Sequence, residues 1–337
     1  MKAPEQFQNI CILHFGQLGD VLLALPAITA VRRRFSNAKI TLIAGKLPAN
    51  LLEELKMVDE VISVDRVGLL RGNKLRSIGK ILTLTRDVRR RKFDFVIDLH
   101  SLSETNLLGF LSGARTRLYA NRESRSLDRL GNFKPRPPLE DKSIHLADNY
   151  LAVLKPLGIE NVDKFVRMTP NPKVASDLSK RFGLGGRDGK TSIGMIVGAG
   201  HPSRRWPLEN FAELARKLVE DQDAYIFVFL GPEEEYESES IERIFPKDTS
   251  VISGLKLSEL AAAFSNIDLL VSNDTGPPHL AAIVGTPIVL VIDERGPLRY
   301  LPLSREMEVV RSGFIDQIPT DDVFNATTRL LSKKPVS

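Results

Sequence analysis

Three short loops of this 337-residue chain carry the residue types from which group-transfer chemistry is built. The first, HFGQLGDVLLALPA at 14–27, places Gly16 and Gly19 ahead of Asp20 in a tight strand-to-helix turn. The plain reading of Asp20 is an N-cap, and the sharper one is a general base at the mouth of a site. A helix N-terminus stabilises an anion, so Asp20 is expected to be ionised at neutral pH. The spacing is not GxGxxG, which argues against a dinucleotide site. The second loop, VGAGHPSRRWPLENFAELA at 197–215, ends a strand in a glycine-rich turn that begins at Gly198. Arg204 and Arg205 follow, and a helix opens at Pro207. Exposed backbone N–H groups beside two guanidinium ions suit phosphate oxygens. A solvated turn, with Trp206 as a packing anchor, is the plainer account. The third, VSNDTGPPHLAAIVGTPIVLV at 271–291, sets Asp274, Thr275 and Gly276 before a helix with Pro277 and Pro278 in its first turn. An unpaired helix start attracts anions. The prolines remove two donors there, which throws weight onto Thr275, Gly276 and His279. Capping is the plainer reading of Asp274 and Thr275, and a satisfied helix-face histidine that of His279.

Two other acidic segments weigh less. Asp221-Gln222-Asp223 has metal-site spacing but falls in a helix-to-strand turn, at the strand's amino end, and reads as solvated. The run Glu233–Glu239 follows Gly231-Pro232 after a strand. Most of it reads as an exposed helix face, with its first residues placed to reach a ribose hydroxyl.

The elements that must position these loops alternate between apolar β-type runs and helical patterns, the signature of parallel α/β sheets. Strands are expected near Asn9–Phe15, Lys39–Ala44, Glu60–Val64 and Phe93–Leu99, with a helix over Asp20–Phe35. In the second half they are expected at Ser192–Val197, Tyr225–Leu230, Ser250–Ile252, Asp268–Val271 and Ile288–Ile292. Helices are expected at Pro207–Glu220, Leu257–Phe264 and Pro277–Val284, with Pro207 at a first helical position. A breaker-rich stretch between Lys155 and Lys190 separates the halves, giving domains of 1–170 and 171–337. Ligands of such sheets bind at the carboxyl ends of strands, where all three loops fall.

The chain holds 47 Lys+Arg against 42 Asp+Glu, a net charge of +5. The charge divides unevenly: residues 1–160 have 26 basic against 17 acidic, and 161–337 have 21 against 25. A basic half suits an anionic partner, whether nucleic acid, a membrane surface or a phosphorylated or carboxylated molecule. The single cysteine, Cys11, rules out an intrachain disulfide, and no Cys/His cluster suggests zinc. Apolar runs fall short of the roughly 18 residues of a membrane span, and MKAPEQFQNI lacks a signal-peptide hydrophobic region. A cytoplasmic protein is expected.

Taken together, the loops resemble glycosyltransferase family 9, best known for ADP-heptose:lipopolysaccharide heptosyltransferases. Gly16-Gln17-Leu18-Gly19-Asp20 with Pro26 is similar to the family's GxLGDxxxxxP. Gly198 through Ala215 resembles GAGxPxKRWPxExFAxLA, and Asn273 through Pro287 resembles NDTGPxHLAAxxGTP. The likeness runs over about residues 8 to 330.

The resemblance implies a GT-B fold: two Rossmann-like domains facing across a cleft, acceptor on the first and nucleotide sugar on the second. Pro319–Lys333 would be a helix packing back toward the first domain. It further implies an inverting, metal-independent transfer of a heptose from an ADP-sugar to a lipopolysaccharide core. Asp20 would be the base. Arg204, at the family's lysine position, would join Gly198, Thr275, Gly276 and His279 around the diphosphate. Asp274 would meet the donor sugar, and Glu234 the ribose. No cofactor or metal is expected. The anionic lipid-linked acceptor would be met by basic residues including Arg66, Arg71, Lys74, Arg76, Arg115, Arg117, Arg122, Arg125 and Arg129, with peripheral contact at the inner-membrane face. Four positions depart from the family: Arg204, Pro278, His14, and the segment Ile292–Pro302, where acidic residues and an arginine replace a Gly-Pro-Thr. A GT-B epimerase, with His100 and His145 as acid/base candidates, and a non-catalytic basic binding protein are the alternatives. Nucleic acid is disfavoured because aromatic interleaving and a recognisable module are lacking.

Overall fold

The computed structural model describes residues 7–65, 74–123, 127–186 and 189–333, with 74–78 in backbone only. Arg66, Arg71 and Arg125 therefore lie outside the described residues, as do the side chains of Lys74 and Arg76. The chain divides into two compact units, Met1–Val166 and Arg167–Ser337.

The first unit runs β1 (Asn9–His14), α1 (Leu18–Arg34), β2 (Lys39–Gly45), α2 (Lys46–Glu54), β3 (Glu60–Val64), α3 (Lys74–Arg90), β4 (Phe95–Asp98), α4 (Ser103–Leu111), β5 (Thr116–Tyr119) and α5 (Leu146–Ala152). Its five strands are parallel in the order β3-β2-β1-β4-β5. Covered on both faces, β1 and β4 read as continuous apolar runs, with Ile10 opposite Ile40 on one side and Phe95 on the other. Val21, Leu22, Leu25, Ile28 and Val31 of α1 are buried. The helix also buries Leu18, Leu23, Ala24, Ala27 and Ala30, because α5 and α2 cover it beyond the sheet. It starts two residues before Asp20, from Gln17 in extended backbone. Asp20 is consequently an interior residue of the first turn and not the cap.

The second unit runs α6 (Pro172–Phe182), β6 (Thr191–Ile196), α7 (Leu208–Gln222), β7 (Ala224–Phe229), α8 (Ser238–Ile244), β8 (Thr249–Ile252), α9 (Leu257–Phe264), β9 (Leu269–Asn273), α10 (Pro277–Val284), β10 (Ile288–Ile292), β11 (Met307–Arg311) and α11 (Thr320–Ser332). Its parallel order is β11-β10-β9-β6-β7-β8. Pro207 is the N-cap of α7, in extended backbone, and not its first helical residue. Gly285 ends α10 at φ +83°, a left-handed backbone angle that requires glycine, and the Arg167 guanidinium packs against it. The final segment forms α11, whose apolar side is committed to its own unit. Val323, Ala326 and Leu330 join the core beneath α7 and β9–β11.

Trp206 anchors that core. It is fully buried, packs edge-on to Phe211 at 4.9 Å, and donates from its indole N–H to the Ile318 carbonyl at 3.0 Å. Truncating such a residue costs about 3–5 kcal/mol. Among the described residues, no helix is long and apolar enough to cross a membrane.

Strand order reverses between β1 and β4 in the first unit and between β6 and β9 in the second. Each reversal opens a crevice at the carboxyl ends of its strands, and the three loops emerge there.

Candidate active site

In the first unit the crevice is built around Asp20. Gly16 is obligatory because an added Cβ would meet the His14 ring at 2.5 Å and the Asp20 Cβ at 2.8 Å. The Gly16 N–H donates to His14 Nδ1 at 3.3 Å, so the buried imidazole braces the turn that carries the aspartate. Burial pushes the Asp20 carboxyl above its ordinary range, opposed by the Gln17 N–H and by the charge of Arg122. Desolvation is the largest influence on the carboxyl, and a carboxylate with raised proton affinity is the better base.

Behind the turn lies a dense buried polar cluster. The His14 ring stacks on His100 at 4.8 Å and meets Tyr150 edge-on at 5.1 Å. Burial, helped by His100 and Arg122, holds His14 well below the imidazole range, so the ring is neutral. Its Nε2 is buried with no hydrogen-bond partner among the described residues. Asp98, fully buried at the end of β4, accepts from the N–H groups of His100 at 3.1 Å and Ser101 at 2.7 Å. Asn106 Nδ2 donates to its other oxygen at 2.8 Å. Burial raises the Asp98 carboxyl to about 7 against these hydrogen bonds. Sequence reasoning missed Asp98, whose only signal was a lone aspartate closing an apolar strand. His145, an acid/base candidate for the epimerase reading, caps α5 by accepting the Ala147 N–H at 3.2 Å.

The basic residues divide. Arg122 stands just past β5, 3.3 Å from Glu140, and its charge is felt by both Asp20 and His14. Arg117 does not join it. This residue sits near the amino end of β5, where its guanidinium donates to the carbonyls of Leu130 at 2.9 Å and Ala114 at 2.5 Å and covers the Phe110 ring. Those backbone bonds make it a staple of its own unit.

In the second unit, Asn273 ties the two loops together. Fully buried at the end of β9, it donates to the Val197 carbonyl at 2.9 Å and accepts the Trp206 N–H at 3.0 Å. Sequence reasoning had included it only as part of a motif. Glu234 lies directly over Gly198, where a Cβ would come within 2.4 Å of its carboxyl carbon, and Gly231 leaves similar room at 2.8 Å. Arg205 grips this glutamate at 3.0 Å and Glu237 at 2.7 Å. The two adjacent arginines, expected to act alike on phosphate, therefore do different things. Arg205 orients the acidic run, and Arg204 remains exposed, 3.8 Å from Asp274. Burial raises the Asp274 carboxyl, with Arg204 working against the shift.

Thr275 and Gly276 lead into α10, whose first turn contains the two prolines and no acidic residue. His279 is buried in that turn. A cavity of about 310 Å³ opens beside Arg204 and Asp274, lined also by Asp293, Arg295 and Pro297. Glu234 and Gly198 are not among its lining residues. The DxD pair sits at the amino end of β7, where Asp223 pairs with Lys190 at 3.5 Å, remote from these loops. Among the described residues, no group of three or more His, Cys, Asp or Glu is arranged to hold a metal ion.

A model of glycosyltransferase family 9 (heptosyltransferase) matches residues 81–323. The lipopolysaccharide core heptosyltransferase OpsX of Haemophilus influenzae is 22% identical over 313 residues, spanning 92% of this chain and 85% of that protein. A family 9 glycosyltransferase from Veillonella parvula has a similar structure, with a TM-score of 0.84 at 24% identity over 97% of this chain and 98% of its own. E. coli heptosyltransferase WaaC with ADP superposes with a TM-score of 0.77 at 19% identity, covering 96% of this chain and 100% of the other.

Proposed function

The chain belongs to glycosyltransferase family 9, and from that premise we propose that it moves a heptose from an ADP-linked donor to the core of a lipopolysaccharide. The acceptor hydroxyl oxygen attacks the anomeric carbon, and the bond from that carbon to the diphosphate oxygen breaks. ADP departs with the electron pair, and the configuration inverts. Asp20 takes the hydroxyl proton. Its desolvated carboxylate is a weak base for a free alcohol but an adequate one once the attacking oxygen has begun to bond and turned acidic.

The observation that carries the reading is the state of the α10 start. It has no acidic residue of its own and lies beside Arg204, whose side chain is more than half exposed. Charge building on a leaving diphosphate is stabilised by that guanidinium and by the N–H groups of Thr275 and Gly276. Glu234, wedged over Gly198 by Arg205, is placed to accept from ribose hydroxyls. Asp274 serves the donor sugar. These groups supply the electrostatic work that a divalent cation performs in other transferases, so we propose a reaction that needs no added metal.

The acceptor is an anionic lipid-linked saccharide, met in the first unit by Arg122 and other basic residues at the cytoplasmic membrane face. The names of relatives that match along nearly the whole chain support heptose and lipopolysaccharide core as substrates. The epimerase and the non-catalytic readings lose ground to membership in a transferase family.

The test is incubation with ADP-heptose and a membrane-derived core acceptor, with and without EDTA, followed by mass spectrometry. Acceptor gaining one heptose, with ADP released equally in both conditions, is the expected result. Isomerised nucleotide sugar without acceptor modification would favour the epimerase, and dependence on divalent cation would remove the metal-free step.

A further inference from the structure

The cavity lined by Arg204 and Asp274 is also lined by Asp293, Arg295, Gly296 and Pro297, residues of the segment where this sequence departs from the family pattern. Asp293 closes β10 and is nearly buried. It accepts three hydrogen bonds from Arg295: from the backbone N–H at 2.8 Å, from Nε at 2.8 Å and from a terminal guanidinium nitrogen at 2.7 Å. The same guanidinium lies over the Phe314 ring at 4.5 Å. Gly296 permits the turn, since a Cβ there would touch the Ile292 side chain at 2.7 Å, and its N–H donates to the Asp293 carbonyl at 2.8 Å.

Such an arrangement removes most of an arginine's freedom without using all its donors. Of the five guanidinium N–H groups, two point at Asp293, and the rest belong to a side chain that is 68% exposed at the cavity. A paired guanidinium is electrically compensated, so its remaining N–H groups suit neutral hydroxyl oxygens better than a second anion. The charged side chains bounding the cavity are Arg204 with Asp274 and Arg295 with Asp293, two of each sign. At about 310 Å³ the space is at the small end of ligand pockets, about 300–1,000 Å³, and accommodates one sugar.

We propose that Arg295, held by Asp293 and Phe314, is a specificity-determining residue that donates hydrogen bonds to hydroxyl oxygens of the donor's neutral sugar, on the side remote from the diphosphate. This rests on the reading that the second unit takes an ADP-sugar. Asp293 is the positioning residue, since its acceptor sites are largely filled by Arg295. The arrangement discriminates against a sugar carrying a carboxylate at the same place, because Asp293 and Asp274 face the same space.

Calorimetric titration of ADP and of ADP-heptose, without acceptor, into the full-length wild type, Arg295→Ala and Arg295→Lys tests the assignment. Arg295→Ala is expected to bind ADP within about twofold of wild type and ADP-heptose at least about tenfold more weakly. Arg295→Lys restores the charge without the fork, and recovers only part of that loss. An equal affinity of Arg295→Ala for both ligands relative to wild type would overturn the proposal, as would a parallel loss for ADP and ADP-heptose. Full recovery in Arg295→Lys would overturn the part played by the planar fork. Wild-type protein that binds neither ligand would sink the ADP-sugar reading and this inference with it, a result distinct from wild-type binding that Arg295→Ala leaves intact.

Discussion

The two units use one topology to make sites of opposite character. Each is a parallel sheet whose strand order reverses beside its first strand, and each sends a helix away from that reversal. At the start of α1 the chain supplies its own anion: Asp20 lies in the first turn and accepts from the Gln17 N–H. The first turn of α10 holds no acidic residue, and Asp274, two residues before its cap, faces the exposed Arg204 at 3.8 Å. A helix N-terminus carries roughly half a positive charge. What differs is whether the sequence fills it. A filled terminus gives a positioned carboxylate that acts on a proton, and an open one gives a receptor for phosphate. The architecture is shared, and the chemistry is decided by a few residues per loop.

The severest way to break this contrast is Asp20→Asn. General base catalysis contributes about 10²–10⁴ in rate, so turnover should fall by about three orders of magnitude while ADP affinity stays unchanged. Retained turnover would remove Asp20 from its role. The wild-type pH profile sharpens the same point. Asp20 must be ionised to accept a proton, and burial raises its proton affinity. The acid limb of kcat/KM is therefore expected above the ordinary aspartate value of about 3.9, with activity lost as pH falls through it. A limb at or below that value would contradict the desolvation argument.

Arg204→Ala attacks the other terminus. A charge-assisted hydrogen bond is worth about 1.5–3 kcal/mol, which predicts ADP binding about 10- to 100-fold weaker by calorimetry. Arg204→Lys should keep most of the affinity. Unchanged affinity in the alanine variant would mean the open terminus is not the diphosphate site. Gly198→Ala is a milder probe of the same unit. The new methyl group occupies the space of the Glu234 carboxyl, and the displaced glutamate would lose its grip from Arg205. Roughly tenfold weaker ADP binding with an unshifted acid limb is expected, since one hydrogen-bonding partner is lost and Asp20 is untouched.

Much of this was legible in the sequence because the second unit writes its chemistry locally. Gly198, Arg204, Asp274, Thr275 and Gly276 fall in two contiguous loops, and the strands that lead into them carry the apolar stretches Ile193–Ile196 and Leu269–Val271. What stayed hidden depends on contacts across the fold. The different duties of Arg204 and Arg205 are set by Glu234 and Glu237, about thirty positions further on. Arg117 looked like any other cation of a basic half until the carbonyls of Ala114 and Leu130 claimed it. Edge strands β5 and β11 were missed because Thr116–Tyr119 is short and polar and Met307–Arg311 is only partly buried, leaving no apolar run to detect. The start of α1 was misplaced because Leu18 and Gly19 read as loop until Gln17 is seen in extended backbone.

The first unit offers a last and gentler test through the cluster behind its base. Asp98 is fully buried, and its carboxyl rises to about 7 in the folded protein. An unfolded aspartate titrates near 3.9, so between roughly pH 4 and 7 the folded state holds a proton that the unfolded state has released. Stability contributed by that protonated carboxyl is complete in acid below the lower value and is lost as pH climbs through the upper one. The slope is up to about 1.4 kcal/mol per pH unit from this group. Asp98→Asn keeps an oxygen to accept the N–H groups of His100 and Ser101 and has nothing to titrate. Urea denaturation at pH 5 and pH 7.5 should show a smaller pH dependence for the variant than for the wild type, with ADP affinity unaltered in the second unit. An identical pH dependence would mean that the buried carboxylate is ionised throughout, held by its hydrogen bonds from Thr105, Ser101, Asn106 and His100 against the cost of desolvation.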